Sequence, residues 1–256
     1  MSQSRQRAAI AARIALTLIV IIVVELVACG IAAAPVLWYA LWIADATAAL
    51  PLYARTLLFG GSIVPCYAVF AVAVLVTSAA TARLTGARTP NGVEMPIRDL
   101  GWPLLAWVRY VVSIHVARVL AGPLLRASPI WTAYLRANGA RIGRRVYVNT
   151  LSISDHNLLD FGDDVVIGAD AHISGHTVEA GIVKTGPVRL GRNVTVGIST
   201  VIEIDVVVGD GAQVGALSFV PKHSVLEPGG VYAGIPVTPL RRRTDGAMRP
   251  GRGRDA

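Results

Sequence analysis

Two short polar stretches in the second half of this 256-residue chain each contain a histidine. The stretch 154–160 holds His156 beside Asp155, and the stretch 174–189 holds His176. Histidine titrates close to neutral pH, so it is the natural general base for removing a proton from a hydroxyl or an amine. Both histidines are candidates for that role. A solvated loop histidine with no part in chemistry is the competing interpretation.

A repeat of six residues predicts the elements that position these side chains. A branched aliphatic residue occupies every sixth position at Leu190, Val196, Ile202, Val208, Val214, Val220 and Leu226. This period matches neither the 3.6 residues of a helix turn nor the alternation of a strand. It is typical of a chain that turns a corner every six residues and stacks short strands coil on coil. We therefore predict an all-β solenoid over residues 142–240, from which the two polar stretches are displaced as surface loops.

Metal binding is an alternative use of the histidines. His156, His172 and His176 could in principle form a three-histidine zinc site. Their positions around one coil do not obviously converge, and the two cysteines, Cys29 and Cys66, lie inside apolar segments. The sequence therefore predicts no metal site and no disulfide framework.

The first half of the chain is much more apolar than the second. The composition is 54% hydrophobic and 16% charged, and the apolar residues are concentrated before residue 126. Residues 8–31 and 57–80 can each cross the roughly 30 Å hydrocarbon layer as a helix. The first of these runs is too long for a cleaved signal peptide. Residues 100–125 are interrupted by tryptophans and basic residues, which predicts amphipathic helices lying in the membrane surface.

The charges predict an orientation. Arginines precede the first span and follow the second, whereas the connection between the spans carries only Asp45 and Arg55. The positive-inside rule then places both termini and the β domain in the cytoplasm. The net charge of +8 fits an anionic membrane surface better than nucleic acid, because the basic clusters flank apolar segments.

These patterns divide the chain into four parts. We predict a membrane domain over residues 1–126, a linker helix over 127–141, the β domain over 142–240 and a disordered basic tail over 241–256. Pro35 is expected to bend or end the first helix.

Glu25 is the one carboxylate within a predicted span. A charge in lipid is costly, so such a residue can mark a path for an ion or a substrate. The plainer interpretation is a partner for Arg13 or Arg109 near an interface, or a neutral buried acid.

The C-terminal half resembles the hexapeptide-repeat acyltransferases, a family of left-handed parallel β-helices. The resemblance rests on IGADAHISGHTVE (167–179), GPVRLGRNVTVGISTVI (186–202) and VVVGDGAQVGALSFVPKHSVLEPGGVYAGIPVTPL (206–240). It implies transfer of an acetyl group from acetyl-CoA to a hydroxyl or amine of a sugar, a glycan or another small acceptor. It also implies a homotrimer with active sites between subunits.

The resemblance further implies roles for single residues. His176 would be the general base, and Asn149 and Asp155 would bind the acceptor. The two polar stretches add His156 and Glu179 as acceptor-binding candidates. The acyl donor would lie along the late coils, where the matching positions are Gly197, Ser199, Gly215, Ala216, Ser218 and Lys222. Small residues are also needed there simply to turn the coil.

The similarity extends upstream. PLLRASPIWTAYLRANGARIGRRVYV (123–148) is similar to the membrane-bound C-terminal region of nonribosomal peptide synthetases, including the polylysine synthetases. Those regions alternate membrane helices with repeat domains in tandem, whereas the sequence here has one repeat domain and no adenylation or carrier domain. Aminoacyl transfer or peptide-bond formation is therefore a second possible function, and a non-catalytic trimeric scaffold at the membrane is a third.

Overall fold

The computed structural model describes residues 3–240, so the predicted basic tail at 241–256 lies outside the described residues. Four α-helices precede most of the strands: α1 (Gln3–Ala46), α2 (Leu52–Leu84), α3 (Trp102–Leu125) and α4 (Pro129–Ala137). By length and composition, α1, α2 and α3 are each apolar enough to cross a membrane. The number of crossings stays a prediction.

The first two helices are longer than the predicted spans. Pro35 lies inside α1, which continues beyond it to Ala46, so this proline does not end the helix. Asp45 and Arg55 belong to the ends of the two helices, and the connection is only the turn at residues 47–51. The missing backbone donor of a proline removes one helix hydrogen bond without preventing the helix from continuing.

Glu25 lines a small pocket of about 160 Å³ that Arg109 also lines. Among residues 3–240 no ion pair joins Glu25 to Arg109 or to Arg13. The Arg13 guanidinium lies instead over the ring of Trp102, 6.0 Å from its centroid. Of the two plainer interpretations, the ion pair is not formed among these residues, and the neutral buried acid stays a prediction.

Short strands make up the rest of the described chain. One lies between α2 and α3, β1 (Glu94–Pro96), and two strands form a hairpin, β7 (His176–Glu179) and β8 (Ile182–Thr185). The others are β2 (Arg141–Ile142), β3 (Tyr147–Val148), β4 (Leu159–Phe161), β5 (Val166–Ile167), β6 (His172–Ile173), β9 (Val188–Leu190), β10 (Thr195–Val196), β11 (Val201–Ile202), β12 (Val206–Val208), β13 (Gln213–Val214), β14 (Phe219–Val220), β15 (Val225–Leu226), β16 (Val231–Ala233) and β17 (Thr238–Pro239).

The strands other than β1, β7 and β8 form three sheets, in each of which the short strands stack side by side. We call this part of the chain, residues 141–240, the column. The sheet orders are β17-β16-β13-β10-β5-β3, β14-β11-β6 and β15-β12-β9-β4-β2. From β9 to β15, consecutive strands join the three sheets in turn. Each of β9 to β13 pairs in parallel with the strand 18 residues later, as Thr195 does with Gln213. Three hexads therefore make one coil. The sixfold aliphatic residues point inward, and Val196, Ile202 and Val208 are at most 1% exposed.

One coil is longer than the others. Val166 pairs with Thr195, 29 positions later, which is 11 more than the regular 18. The extra residues form the β7–β8 hairpin, which leaves the column between β6 and β9. Strand β1 extends this hairpin to three strands by pairing antiparallel with β8, with Met95 opposite Val183. The segment between α2 and α3 is thus tied to the inserted hairpin.

Helix α4 covers the first coil of the column. Ser128 caps the helix by accepting a hydrogen bond from the Trp131 backbone N–H at 3.2 Å. The Trp131 side chain is fully buried, and its indole N–H donates to the Thr150 carbonyl at 3.1 Å. Leu135 of α4 and Ala71 of α2 belong to the same apolar core as the column interior. Helices and column therefore share one core.

Candidate active site

His176 lies at the start of β7, where the chain leaves the column. Its Nδ1 is 2.5 Å from Oδ2 of Asp155 and 3.2 Å from the Ser174 hydroxyl. With its proton on Nδ1, the imidazole donates to Asp155 and keeps a lone pair on Nε2. Within residues 3–240 Nε2 has no hydrogen-bond partner, and the side chain is 24% exposed. Nε2 is therefore the nitrogen left for a ligand.

Asp155 is completely buried and accepts several hydrogen bonds. Besides His176, the Thr89 hydroxyl donates to Oδ1 at 2.6 Å and the Trp107 indole N–H donates to the same oxygen at 3.1 Å. The Ser154 hydroxyl donates to Oδ2 at 2.9 Å. These donors come from three places: the α2–α3 connection, helix α3 and the column. The carboxylate is thereby fixed in position.

The pKa of Asp155 reflects two opposing effects. Burial alone would raise it, but the hydrogen bond and charge of His176, with the hydrogen bonds from Thr89 and Trp107, lower the pKa below its usual value. The carboxylate is therefore ionised at neutral pH. An ionised, immobile carboxylate on Nδ1 selects the tautomer whose Nε2 can take a proton.

Trp107 also packs against the imidazole. The ring centroids of Trp107 and His176 are 4.9 Å apart, with an edge-on angle of 70°. The indole thus holds both members of the pair, Asp155 through its N–H and His176 through its ring. The arrangement is a carboxylate–imidazole dyad whose inner side is closed by a helix of the apolar half.

Two predicted acceptor-binding residues are buried, and their role stays a prediction. Asp155 is 0% exposed, and its oxygens accept the hydrogen bonds described above, including the one from His176. His156 is also 0% exposed, with its ring edge-on to Tyr134 at 5.7 Å between centroids. Its stretch was expected at the surface, but α4 lies over this part of the column. Only His176 of the two candidate bases is accessible.

Asn149 and Glu179 are not brought to the dyad. Asn149 follows β3, is half-buried, and its backbone N–H donates to the Ile167 carbonyl at 3.0 Å. Glu179 lies at the far end of β7 and forms ion pairs with Lys222 and, at 3.7 Å, with Lys184. The hydrogen bond from Lys222 and the charges of both lysines lower the pKa of Glu179. Lys222 and Glu179, predicted to bind different ligands, are therefore partners of each other.

The predicted donor-binding residues fall into two groups. Ser199 and Ala216 are exposed at the corners of the column, beside Gly197 and Gly215. Ser218 is 2% exposed, and its hydroxyl donates to the Ala216 carbonyl at 3.4 Å and accepts from the Gly234 N–H at 3.2 Å. The Ser218 hydroxyl therefore faces the interior, and a role of Ser218 in binding the donor stays a prediction.

Two residues that hold the dyad in position were not predicted from the sequence. Thr89 and Trp107 precede Asp155 by 66 and 48 positions and lie outside the repeat. Trp107 was counted only as an interruption of an apolar stretch, and Thr89 has no distinguishing neighbour pattern. Among residues 3–240 no group of three or more histidine, cysteine or acidic side chains is placed to hold a metal ion.

Two curated relatives match this chain. A galactoside O-acetyltransferase of Escherichia coli is 34% identical over 125 residues, covering 46% of this chain and 60% of that protein. A delta-poly-L-ornithine synthetase of Acinetobacter baumannii is 28% identical over 148 residues, covering 58% of this chain and 11% of that protein. The predicted resemblance to hexapeptide-repeat acyltransferases is confirmed. The chain spans less than two thirds of the length of either relative. No family model matches it.

Solved hexapeptide-repeat structures show partial similarity to the chain. A galactoside acetyltransferase in complex with coenzyme A superimposes with a TM-score of 0.38 at 29% identity, covering 41% of this chain and 56% of that one. A maltose O-acetyltransferase from Clostridium difficile 630 gives a TM-score of 0.43 at 18% identity, covering 58% of this chain and 91% of that one.

Proposed function

We propose that this protein is a membrane-anchored acyltransferase that carries out O- or N-acetyl transfer with His176 as the general base. The column would be a left-handed β-helix of the hexapeptide-repeat type, and acetyl-CoA would be the acyl donor. The observation that carries the proposal is the His176–Asp155 dyad, which leaves Nε2 without a partner among residues 3–240. It lies where an insertion interrupts the column, which is where a substrate can approach.

The chemistry assigned to the dyad is proton transfer. Nε2 of His176 takes the proton from an acceptor hydroxyl or amine as its oxygen or nitrogen forms a bond to the thioester carbonyl carbon. The carbon–sulfur bond then breaks, and the proton on Nε2 is returned to the departing thiolate. Asp155 stays ionised and stabilises the imidazolium between the two proton transfers, as buried carboxylates do in catalytic triads.

The acceptor is proposed only as a class. The acetyl transfer in the name of the Escherichia coli relative favours a sugar or glycan hydroxyl. The other relative favours an amine, and its 148 matched residues exceed the 99 residues from 142 to 240, so part of that similarity lies outside the repeat domain. An aminoacyl or peptide-bond-forming reaction is therefore the second candidate. A non-catalytic trimeric scaffold is the third.

Replacing the base tests the proposal. The full chain in detergent is assayed for thiol release from acetyl-CoA with a galactoside or ornithine as acceptor. We expect His176→Ala to lower the rate by ~10²–10⁴-fold, the usual contribution of a general base. His172→Ala is the matched control, because His172 is an exposed histidine on β6 and should leave the rate unchanged. An undiminished rate in His176→Ala would show that another group is the base.

The acyl donor that the wild type uses distinguishes the three proposed functions. Acetyl-dependent turnover by the wild type supports the leading proposal, and turnover only with an aminoacyl thioester supports the second. A wild-type protein that binds neither donor supports the scaffold. The homotrimer is likewise proposed, and its mass in detergent would test it.

The location is proposed from the apolar helices and the basic residues that flank them. Both termini and the column would lie on the cytoplasmic side of the bilayer. Membrane anchoring through α1 and α2 would keep the dyad close to the lipid surface, and so favour acceptors that are themselves held there.

A further inference from the structure

A cleft of about 630 Å³ lies between the α2–α3 connection and the sheet that contains β2, β4 and β9. Three arginines line it: Arg88 from the connection, Arg141 from β2 and Arg189 from β9. Asn91 and Asn157 also line it. No acidic residue lines the cleft. His176 is not part of its lining, so this cavity is distinct from the dyad.

The cleft carries uncompensated positive charge. Within residues 3–240, Arg88 and Arg189 have no carboxylate partner, whereas Arg141 pairs with Asp160 at 2.8 Å. Asp160 lies between Arg141 and Arg189 in the strand register, and among residues 3–240 its ion pair is with Arg141. Three arginines and one aspartate leave a local charge of +2.

The size and donors of the cleft identify the class of ligand. A guanidinium offers paired N–H donors that match the oxygens of a phosphate, and it stays charged at all physiological pH values. A phosphomonoester carries about −1.5 to −2 charges at pH 7, which balances this cleft. The volume is larger than a phosphate needs and falls within the usual range for small-molecule sites. The remaining wall is mainly apolar, with Pro90, Pro103 and Leu159.

We infer that this cleft is a binding site for a phosphate ester, whose phosphate lies between the guanidiniums of Arg88, Arg141 and Arg189. The same chemistry is found in a phospholipid headgroup and in a soluble phosphorylated compound. The site does not depend on the acyltransferase proposal.

Its position gives the site a connection to the dyad. Arg88 is followed by Thr89, whose hydroxyl donates to Asp155. The side-chain oxygen of Asn157 accepts from the Thr89 backbone N–H at 3.0 Å, and its side-chain nitrogen donates to the Thr89 carbonyl at 2.8 Å. A ligand held by Arg88 therefore lies directly against the segment that positions the carboxylate.

Phosphate binding to charge variants tests the site. The full chain is purified in a phosphate-free maltoside detergent, and inorganic phosphate is titrated while its ³¹P line width is followed. We expect saturable broadening with the wild type and ~10- to 100-fold weaker binding by Arg88→Gln and Arg189→Gln, the usual effect of losing hydrogen bonds to a charged group. Arg98→Gln is the matched control, because this arginine lies on the same connection, is exposed and is outside the cleft.

A variant that should bind phosphate more tightly distinguishes loss of the site from loss of folding. Asp160→Asn removes the carboxylate that competes for Arg141, so phosphate should bind several-fold more tightly than to the wild type. Unchanged binding in Arg88→Gln and Arg189→Gln, or weaker binding in Asp160→Asn, would overturn the inference. Competition between phosphatidic acid and glycerol 3-phosphate then identifies the source. Displacement of phosphate by either compound supports the site, and displacement by neither overturns it.

Discussion

The imidazole of His156 is buried with neither ring nitrogen hydrogen-bonded to a residue that the structure describes. Burial lowers the pKa of this histidine from 6.5 to about 4, so the folded protein keeps it neutral. The unfolded chain takes up a proton near pH 6.5, and the folded chain does so only near its own lower pKa. Stability therefore falls as the pH is lowered through this window.

We predict that lowering the pH from 6.5 to 4 reduces the free energy of unfolding by about 3 kcal/mol through His156, because each pKa unit corresponds to 1.36 kcal/mol. Melting temperatures of the wild type and His156→Phe across this range would measure it, with the exposed His115→Phe as control. His156→Phe should flatten the slope. The contribution of Asp155 is lost only at still lower pH, because its folded pKa is lowered below the usual carboxyl value. A slope that persists in His156→Phe would contradict the prediction.

Helix α3 supplies Trp107, which donates a hydrogen bond to Asp155 of the proposed active site. We predict that Trp107→Phe lowers turnover ~10-fold, because it keeps a ring beside His176 and loses one hydrogen bond to a charged carboxylate. The KM for the acyl donor should not change, since Trp107 does not lie with the predicted donor residues. Trp102→Phe is the control on the same helix, where the side chain is 55% exposed. Equal kinetics for the two variants would show that the hydrogen bond has no role in positioning the dyad.

The corners of the column leave no room for side chains at some glycines. A Cβ at Gly197 would lie 2.6 Å from the carbonyl carbon of Gly215 in the next coil. We predict that Gly197→Ala destabilises the protein by about 1–3 kcal/mol, the usual cost of overpacking. Gly61→Ala is the control, because no heavy atom lies within 4 Å of its Cβ position. Thermal unfolding would measure both. An unchanged stability with a raised KM for acetyl-CoA would mean that Gly197 serves the donor alone.

The hexad repeat made the column predictable because each coil is specified by residues close in the sequence. Interior positions such as Val196 follow from the spacing, and so does the presence of an insertion after Ile173. The site was predicted only in part, because its partners are distant. Thr89 and Trp107 reach Asp155 across 66 and 48 positions, and no local pattern records such a contact. His156 was placed at the surface because a polar stretch gives no sign that α4 covers it.

The connections between helices and column limit how the molecule can sit in a bilayer. The column contacts α3 near both ends: Trp107 donates to Asp155, and Gly122 lies so close to Leu151 that a Cβ would be 3.0 Å from its Cδ1. A domain on one side of a membrane cannot contact both ends of a helix that crosses it. We therefore expect α1 and α2 to cross and α3 to lie beside the column, although α3 is long and apolar enough to span. The 44 residues of α1 measure ~66 Å at 1.5 Å per residue, so part of this helix also extends beyond the hydrocarbon layer.

Single cysteines introduced after replacing Cys29 and Cys66 with serine would test this arrangement. A membrane-impermeant maleimide applied to intact cells should label Ala49→Cys, because the turn at 47–51 lies across the membrane from the column in a two-helix hairpin. Asn91→Cys in the α2–α3 connection and Val225→Cys on the column, a position that is 66% exposed, should react only after permeabilisation. If Val225→Cys were labelled together with Ala49→Cys while Asn91→Cys stayed protected, α3 would be a third span. The dyad would then have to form without Thr89, since the connection and the column would lie on opposite sides.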